Sequence, residues 1–284
     1  MILVDMNQIS LASVMMHLNI TKRDSVDAGM VRHMILNSLR NYRQMFSKDY
    51  GEFIICYDSK HYWRRDVFPE YKAGRRKSRE TSVHDWDDIF NFLNAFKQEM
   101  VDYMPYKVLE VYGAEADDII AVLCGEFEYD HGKTLILSGD KDFIQLQKYN
   151  NVTQYSPITK KFVNGEDPYR YLAEHILRGD SSDGIPNVLS PDNTFVDGLR
   201  QRPLSKKKVA TWIDNEIEDS LPNDEALRNF QRNEKLIDLS KSPDDLFIDI
   251  IKEYQKASEG DRSKLLNYFI EKRLTEHLEN IGDF

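Results

Sequence analysis

Thr134-Leu-Ile-Leu-Ser-Gly-Asp-Lys-Asp-Phe143 is a short aliphatic run that stops at Ser-Gly and delivers two carboxylates, Asp140 and Asp142. An apolar run with no polar alternation reads as a strand buried on both faces, the kind found in parallel sheets. Ile2 to Asp5, Phe53 to Asp58 and Tyr106 to Val111 have the same character. Long helical patterns separate them: Val31 to Phe46, Trp86 to Met104 and Ala116 to Phe127. Strand and helix in alternation predict an α/β fold, a mainly parallel sheet flanked by helices. After about Tyr155 the strand signal fades, and prolines from Pro168 to Pro243 punctuate short helical stretches. The clearest of these has Ser242 as N-cap and Pro243 at N1, then Leu246, Phe247, Ile250 and Ile251. This second part predicts a smaller C-terminal helical region packed on the sheet domain.

With 284 residues, 41% of them hydrophobic, the chain has core material for one large or two modest domains. No apolar run approaches the roughly 20 residues of a membrane span, and Asp5 interrupts the N-terminus before a signal-peptide core forms. Both observations argue against a secreted or membrane protein. Cys56 and Cys124 have no ligand-like spacing, which excludes a structural zinc site and a disulfide framework.

The net charge of −10 argues by itself against a nucleic-acid partner, but its distribution argues the other way. Lys60 to Arg79 holds eight Lys/Arg and two acids, and Arg200 to Lys208 holds five Lys/Arg and no acid. The acids stand at strand ends: Asp5, then Asp58, then Glu115, Asp117 and Asp118 beyond Val111, then Asp140 and Asp142. In an open parallel sheet these ends lie along one edge, where ligands bind. Asp180 and Asp183 follow in Gly179-Asp-Ser-Ser-Asp-Gly184, at a spacing that lets both join the cluster. Without these nine acids the chain holds 39 acidic and 38 basic side chains, so the acidic balance is itself a metal signal. Crowded carboxylates raise one another's pKa unless cations neutralise them, and oxygen ligands without His or Cys favour Mg²⁺ or Mn²⁺. A single strand-end Asp reads equally well as a cap or turn residue, and Asp118 also suits the first turn of a helix.

Gly113-Ala-Glu-Ala-Asp-Asp118, Ser138-Gly-Asp-Lys-Asp-Phe143 and Gly179-Asp-Ser-Ser-Asp-Gly-Ile-Pro-Asn-Val188 resemble the motifs of the 5′-nuclease (flap endonuclease) superfamily. Tyr62-Trp-Arg-Arg-Asp66, Met30 to Ser38 and Gln154-Tyr-Ser-Pro157 are similar to its T-even phage ribonuclease H group. The resemblance implies a PIN-like (resolvase-like) nuclease domain over residues 1–178, with a helical arch at about 59–105, and a duplex-binding helical region over 179–284. It implies two Mg²⁺, with Mn²⁺ able to substitute. Asp58, Asp117 and Asp140 are expected to hold one ion, and Asp142, Asp180 and Asp183 the other. Asp5 and Glu115 would orient ligands or waters, and Asp118 matches an extra acid of the bacterial and phage branch. Arg64 and Lys72 match basic arch residues, Lys72 at the scissile phosphate. Arg65, Arg75, Arg76, Lys77 and Arg79 complete the basic segment, whose Tyr62, Trp63, Phe68 and Tyr71 suit stacking of single-stranded bases. Two-metal hydrolysis needs no general-base His, and none stands in the three carboxylate motifs.

The activity implied is 5′→3′ exonuclease and flap endonuclease cleavage of RNA–DNA and DNA–DNA duplexes. Its setting would be removal of RNA primers during lagging-strand replication of a phage, in the cytoplasm of an infected bacterial host. A monomer is expected, with no membrane contact. Single-strand binding protein and sliding clamp enter as partners by resemblance alone. The chain opens almost directly on its first strand, so no N-terminal arm for a clamp is expected. The resemblance departs after Val188, where Leu189-Ser-Pro-Asp-Asn-Thr-Phe195 replaces a glycine-containing hairpin. Duplex grip is then expected from Arg200, Arg202, Lys206, Lys207 and Lys208, although that run also suits a solvated helix face. Three rivals fit less well. A PIN-type endoribonuclease would lack the Asp180/Asp183 pair, and a non-catalytic DNA binder would have broken carboxylates. A phosphatase would want Asp-x-Asp where Asp5-Met-Asn7 stands.

Overall fold

A computed structural model describes residues 1–129, 132–258 and 260–284. In chain order it contains β1 (Ile2–Asp5), α1 (Met6–Thr21), α2 (Ala28–Tyr50), β2 (Phe53–Tyr57), α3 (Arg64–Val67), α4 (Gly74–Glu80) and α5 (Trp86–Tyr103). There follow β3 (Lys107–Glu110), α6 (Ala116–Glu126), β4 (Thr134–Leu137), a 3-10 segment (Lys141–Lys148), β5 (Val152–Ser156), β6 (Lys161–Val163) and α7 (Pro168–Arg178). The remainder is helical: α8 (Lys206–Ile213), α9 (Ile217–Ser220), α10 (Asp224–Ile237), α11 (Asp244–Lys256), α12 (Ser263–Glu271) and α13 (Thr275–Glu279). None of the described helices is long and apolar enough to cross a membrane.

The sheet runs β3-β2-β1-β4-β5-β6, parallel from β3 to β5 with β6 antiparallel at the edge. Side chains of the central strands alternate between two cores. Ile2, Val4, Ile55 and Leu137 face a layer built on α1, α2 and α5, whereas Leu3, Ile54, Cys56 and Ile136 face α6 and α11. Both faces are covered, which is why the strands carry no polar alternation. The chain first builds outward from β1 to β3, then crosses back to β4 on the other side of β1. That reversal opens a crevice at the C-terminal ends of β1 and β4, the usual ligand position in such sheets.

The four expected strands form, with β5 and β6 in addition. Val152-Thr-Gln-Tyr-Ser156 extends the parallel sheet, and Lys161–Val163 folds back on it as a short edge hairpin, too brief for an apolar period to register. The helical region is not one separate body. Ile176, Leu177, Val188, Val209, Trp212, Phe230 and Ile237 form a third core with Phe68 and Tyr71. By contrast, Leu246 and Ile250 of α11 join the α6 core, and Leu265, Phe269 and Phe284 join the core under α2 and α5. Ser242 does not cap α11, which starts at Asp244 after Pro243 with no side-chain cap; its hydroxyl donates instead to Asp118 Oδ1 at 2.8 Å.

A candidate metal and nucleic-acid site at the sheet edge

Asp5 ends β1 and caps α1, accepting from the Gln8 amide at 3.1 Å and from the Ser138 hydroxyl at 2.9 Å. Asp58, just past β2, accepts from the Ala116 amide at the start of α6 at 2.7 Å. Asp140 caps the 3-10 segment through the Asp142 amide. Its turn is tied down by Gln8, whose Oε1 takes the Gly139 amide, and by Gln154, whose Nε2 donates to the carbonyls of Ser138 and Asp140. With Asp117 from α6, these carboxylates line a cleft of about 890 Å³. The same cleft is lined by Lys60, Lys72, Arg75, Arg79 and Lys97. A second, shallower pocket shares Asp140 and adds Asp142, Asp180, Tyr171 and His175.

The electrostatics are those of an incomplete ion cluster. Burial, then the charge of Asp58, pushes the Asp5 carboxyl up to about 7. Burial and Asp140 push Asp142 to about 7 as well. Burial and Asp5 hold Asp117 well above the usual carboxylate range, and burial raises Asp58. A site of hydrogen-bonded, oxygen-only donors that resist ionisation beside one another fits a divalent cation, which would remove the cost of crowding.

Glu115, Asp118 and Arg64 are placed elsewhere than the sequence suggested. Arg64 is buried and donates through Nη1 to Glu115 Oε2 at 3.0 Å and Asp118 Oδ2 at 2.9 Å, and through Nε to the Leu236 carbonyl. Asp118 also accepts the Glu115 amide in a capping box and the Trp63 indole N–H. Burial would raise the Asp118 carboxyl, but Arg64 outweighs it and holds the group below its usual value. Asp118 is therefore a buried partner of Arg64 rather than a free ligand, and Arg64 lies beneath the arch, tying α3 to α6 and α10.

Lys72 takes the left-handed backbone region at φ 58°. Its amide donates to the Asp183 carbonyl at 2.7 Å, an approach that needs Gly184, where an added Cβ would lie 3.0 Å from the Glu70 carbonyl. Nζ reaches Glu115 Oε1 at 2.5 Å and Asp183 Oδ2 at 3.4 Å. Burial would lower this ammonium, but Asp183 and Glu115 outweigh it, so Lys72 stays charged. Asp183 also meets Arg75 at 2.6 Å, and the Tyr71 hydroxyl stands 2.9 Å from both Glu115 and Asp183, able to donate to one at a time. The Asp183 carboxylate is thus engaged by Lys72, Arg75 and Tyr71.

Residues 59–105, expected as one arch, divide in two. Residues 59–85 with α4 border the cleft, whereas α5 is a sheet-covering helix that buries Ile89, Phe92, Phe96 and Met100 and lends only one edge to the cleft. Trp63, Phe68 and Tyr71 are buried, so they are core and not a stacking platform; Tyr62 is half-buried under the Arg65 guanidinium. Arg76 pairs with Glu80, Arg79 lies over Trp86 and Phe90, and Lys77 is exposed. Lys206, Lys207 and Lys208 form the exposed first turn of α8 and do not line the cleft. The loop from Leu189 is fixed by Asp192, which pairs with Arg228 and Arg232, and it brings Phe195 and Val196 to the cleft rim.

His175, Ser138 and Gln154 were given no role by sequence reasoning, and Tyr71, expected to stack on bases, instead hydrogen-bonds at Glu115 and Asp183. His175 stands on the last turn of α7, with Nδ1 3.4 Å from Asp142 and Nε2 3.5 Å from Asp180. Burial would lower this imidazole, but the Asp180 and Asp142 carboxylates raise it. Asp180, which burial alone would raise, is held well below its usual value by His175 and Ser182.

A family model described as the 5′-3′ exonuclease N-terminal resolvase-like domain matches residues 1–171, and a second, described as T4 RNase H, C terminal, matches residues 170–284. The chain belongs to the 5′-3′ exonuclease family. Ribonuclease H of Enterobacteria phage T4 is 34% identical, over 99% of this chain and 95% of that protein. A 5′-3′ exonuclease of Buchnera aphidicola (subsp. Schizaphis graminum) is 32% identical over 54% of each chain. Two solved structures share the exonuclease fold at 18% identity. The T5 D15 protein co-crystallised with metal ions has a TM-score of 0.64, over 90% of this chain and 98% of that one. The bacteriophage T5 D15 flap endonuclease with DNA and metal ions has 0.65, over 90% and 97%. The PIN-like reading of the sheet agrees with both.

Proposed function

We propose that this chain hydrolyses phosphodiesters at the 5′ ends and 5′ flaps of DNA–DNA and RNA–DNA duplexes, using two Mg²⁺ for which Mn²⁺ substitutes. The observation that carries the reading is the convergence of Asp5, Asp58, Asp117 and Asp140 in a cleft that Lys60, Lys72, Arg75 and Arg79 also line. A polyanion entering this cleft would have its backbone phosphates met by the basic side chains and its scissile phosphodiester by cations held on the carboxylates. Divalent cations held by Asp58, Asp117 and Asp140, and by Asp142 and Asp180 with Asp183 nearby, would lower the pKa of water and neutralise charge on the phosphoryl oxygens.

The chain's own groups do the rest. Asp5, fixed by Gln8 and Ser138, orients water at the cleft floor. Lys72, charged and held by Glu115, points its ammonium where negative charge grows on the phosphate, a preorganised contact strongest in the transition state. Arg75, on Asp183, and Arg79 steer the strand through the arch, with Arg65, Arg76 and Lys77 outside it. The α8 lysines contact the duplex. This activity suits removal of RNA primers in lagging-strand replication of a phage inside an infected bacterium, by a monomer working beside single-strand binding protein and a sliding clamp.

Product sizing on a 5′-labelled flap and on a 5′-labelled RNA–DNA hybrid, with and without Mg²⁺, tests the reading. Short 5′ products from both, absent in chelator, are expected. Cleavage in excess chelator, or cuts confined to unpaired RNA, would reject it.

A further inference from the structure

The second pocket has an imidazole, a kind of donor that the first lacks. Asp142, Asp180 and His175 offer ligand atoms that all lie within 4.8 Å of one another. Asp183 contributes poorly there, because Arg75, Lys72 and Tyr71 already engage its carboxylate. His175 Nδ1 is buried and makes no hydrogen bond, while facing Asp142 Oδ1 at 3.4 Å. The ring is steadied by an edge-on contact with Tyr171, 5.9 Å between centroids. An imidazole with a carboxylate beside each nitrogen can give one lone pair to a cation and donate its other N–H to the remaining carboxylate. That arrangement fixes the tautomer and strengthens the ligand.

We propose that His175 is a nitrogen ligand of the second cation, so that the two metal positions differ in kind. This rests on the two-cation reading above. The Asp58, Asp117 and Asp140 position is oxygen-only and suits Mg²⁺. The Asp142, Asp180 and His175 position is mixed and favours Mn²⁺, Co²⁺ or Zn²⁺. Asp140, lining both pockets, is the residue through which they communicate.

Pulsed electron paramagnetic resonance of the full chain loaded with Mn²⁺ reads nitrogen coordination without any assay of cleavage. Coupling to ¹⁴N is expected in the wild type with both positions loaded with Mn²⁺, and its loss in His175→Gln and His175→Asn. Calorimetry should show Mn²⁺ affinity at one position falling roughly tenfold to a hundredfold in those variants, with Mg²⁺ affinity changed by less than about threefold. Thermal melts of the cation-free variants establish that they fold. Two bound Mn²⁺ with no ¹⁴N coupling, or equal loss of Mn²⁺ and Mg²⁺, would overturn the proposal and leave His175 as a counter-ion of Asp142 and Asp180. Absence of any cation binding by the wild type would instead reject the metal reading itself, and this inference with it.

Discussion

Gln154 Nε2 donates to the Asp140 carbonyl at 2.6 Å, so the turn presenting this carboxylate is fixed from the neighbouring strand β5. The same amide group satisfies the Ser138 carbonyl. Gln154→Leu leaves the buried Ser138 carbonyl without this donor, which costs about 1–3 kcal/mol, and frees the half-buried Asp140 carbonyl at a smaller cost. Urea denaturation should show that loss, and Mg²⁺ titration should show weaker binding at the Asp140 cluster. Unchanged stability would mean that water replaces the amide.

Asp5 and Asp142 titrate near 7 in the folded chain, against about 4 when unfolded. Between those values the folded state binds more protons than the unfolded one, so cation-free stability falls as pH rises from about 4 to 7 and then levels. Bound Mg²⁺ cancels this cost. The Mg²⁺-induced rise in Tm should therefore be larger at pH 8 than at pH 5.5, read by calorimetry. Asp140→Asn should raise the cation-free Tm at pH 8 and abolish cleavage; a lowered Tm would show that repulsion is not the governing term.

Arg64 and Lys72 separate by assay, although both touch Glu115. Arg64→Ala leaves Glu115 and Asp118 facing each other in the interior and should cost about 3–5 kcal/mol in urea. Lys72→Ala should lower single-turnover cleavage by about 10²–10³, the scale of one preorganised donor, with flap affinity nearly unchanged. An affinity loss as large as the rate loss would make Lys72 a binding contact only.

Burial, then His33, pushes the His277 imidazole down to about 4. The unfolded state takes up its proton first, so stability is lost as pH falls from about 6.5 through 4. The loss approaches about 3 kcal/mol below pH 4. His277→Gln should flatten this part of the pH–stability curve, whereas an unaltered slope would assign it to other groups.

Changing Lys206, Lys207 and Lys208 to Ala should reduce the slope of log affinity against log salt on a duplex flap by about 0.9 per lost phosphate contact. Binding of short single strands should hold. An unchanged slope would make this turn of α8 a solvated face.

Residues that act through local pattern were legible in the sequence. Ile2–Asp5 and Thr134–Leu137 announced themselves because a strand covered on both faces is apolar throughout, and the turn after it carries the acid. Asp58 and Asp140 follow from the same logic. What depends on distance between elements was not legible. Asp117 and Asp118 are neighbours in sequence, yet one lines the cleft and the other is sealed against Arg64. His175 belongs to no motif, and only the approach of α7 to the Asp142 turn gives it a role. Trp63, Phe68 and Tyr71 sit among cations that suggest a nucleic-acid surface, but α3 folds their rings into the interior.

Phe284 and Leu265 complete the same core as Ile2 and Val4. A ribosome-bound chain that has finished its sheet still shows a greasy face on α2 and α5, because α12 and the residues up to Phe284 that cover it emerge later. That face stays open to chaperones and proteases in the window between making β5 and releasing α12. Slowing translation across that interval should therefore reduce the yield of native protein more than slowing it earlier.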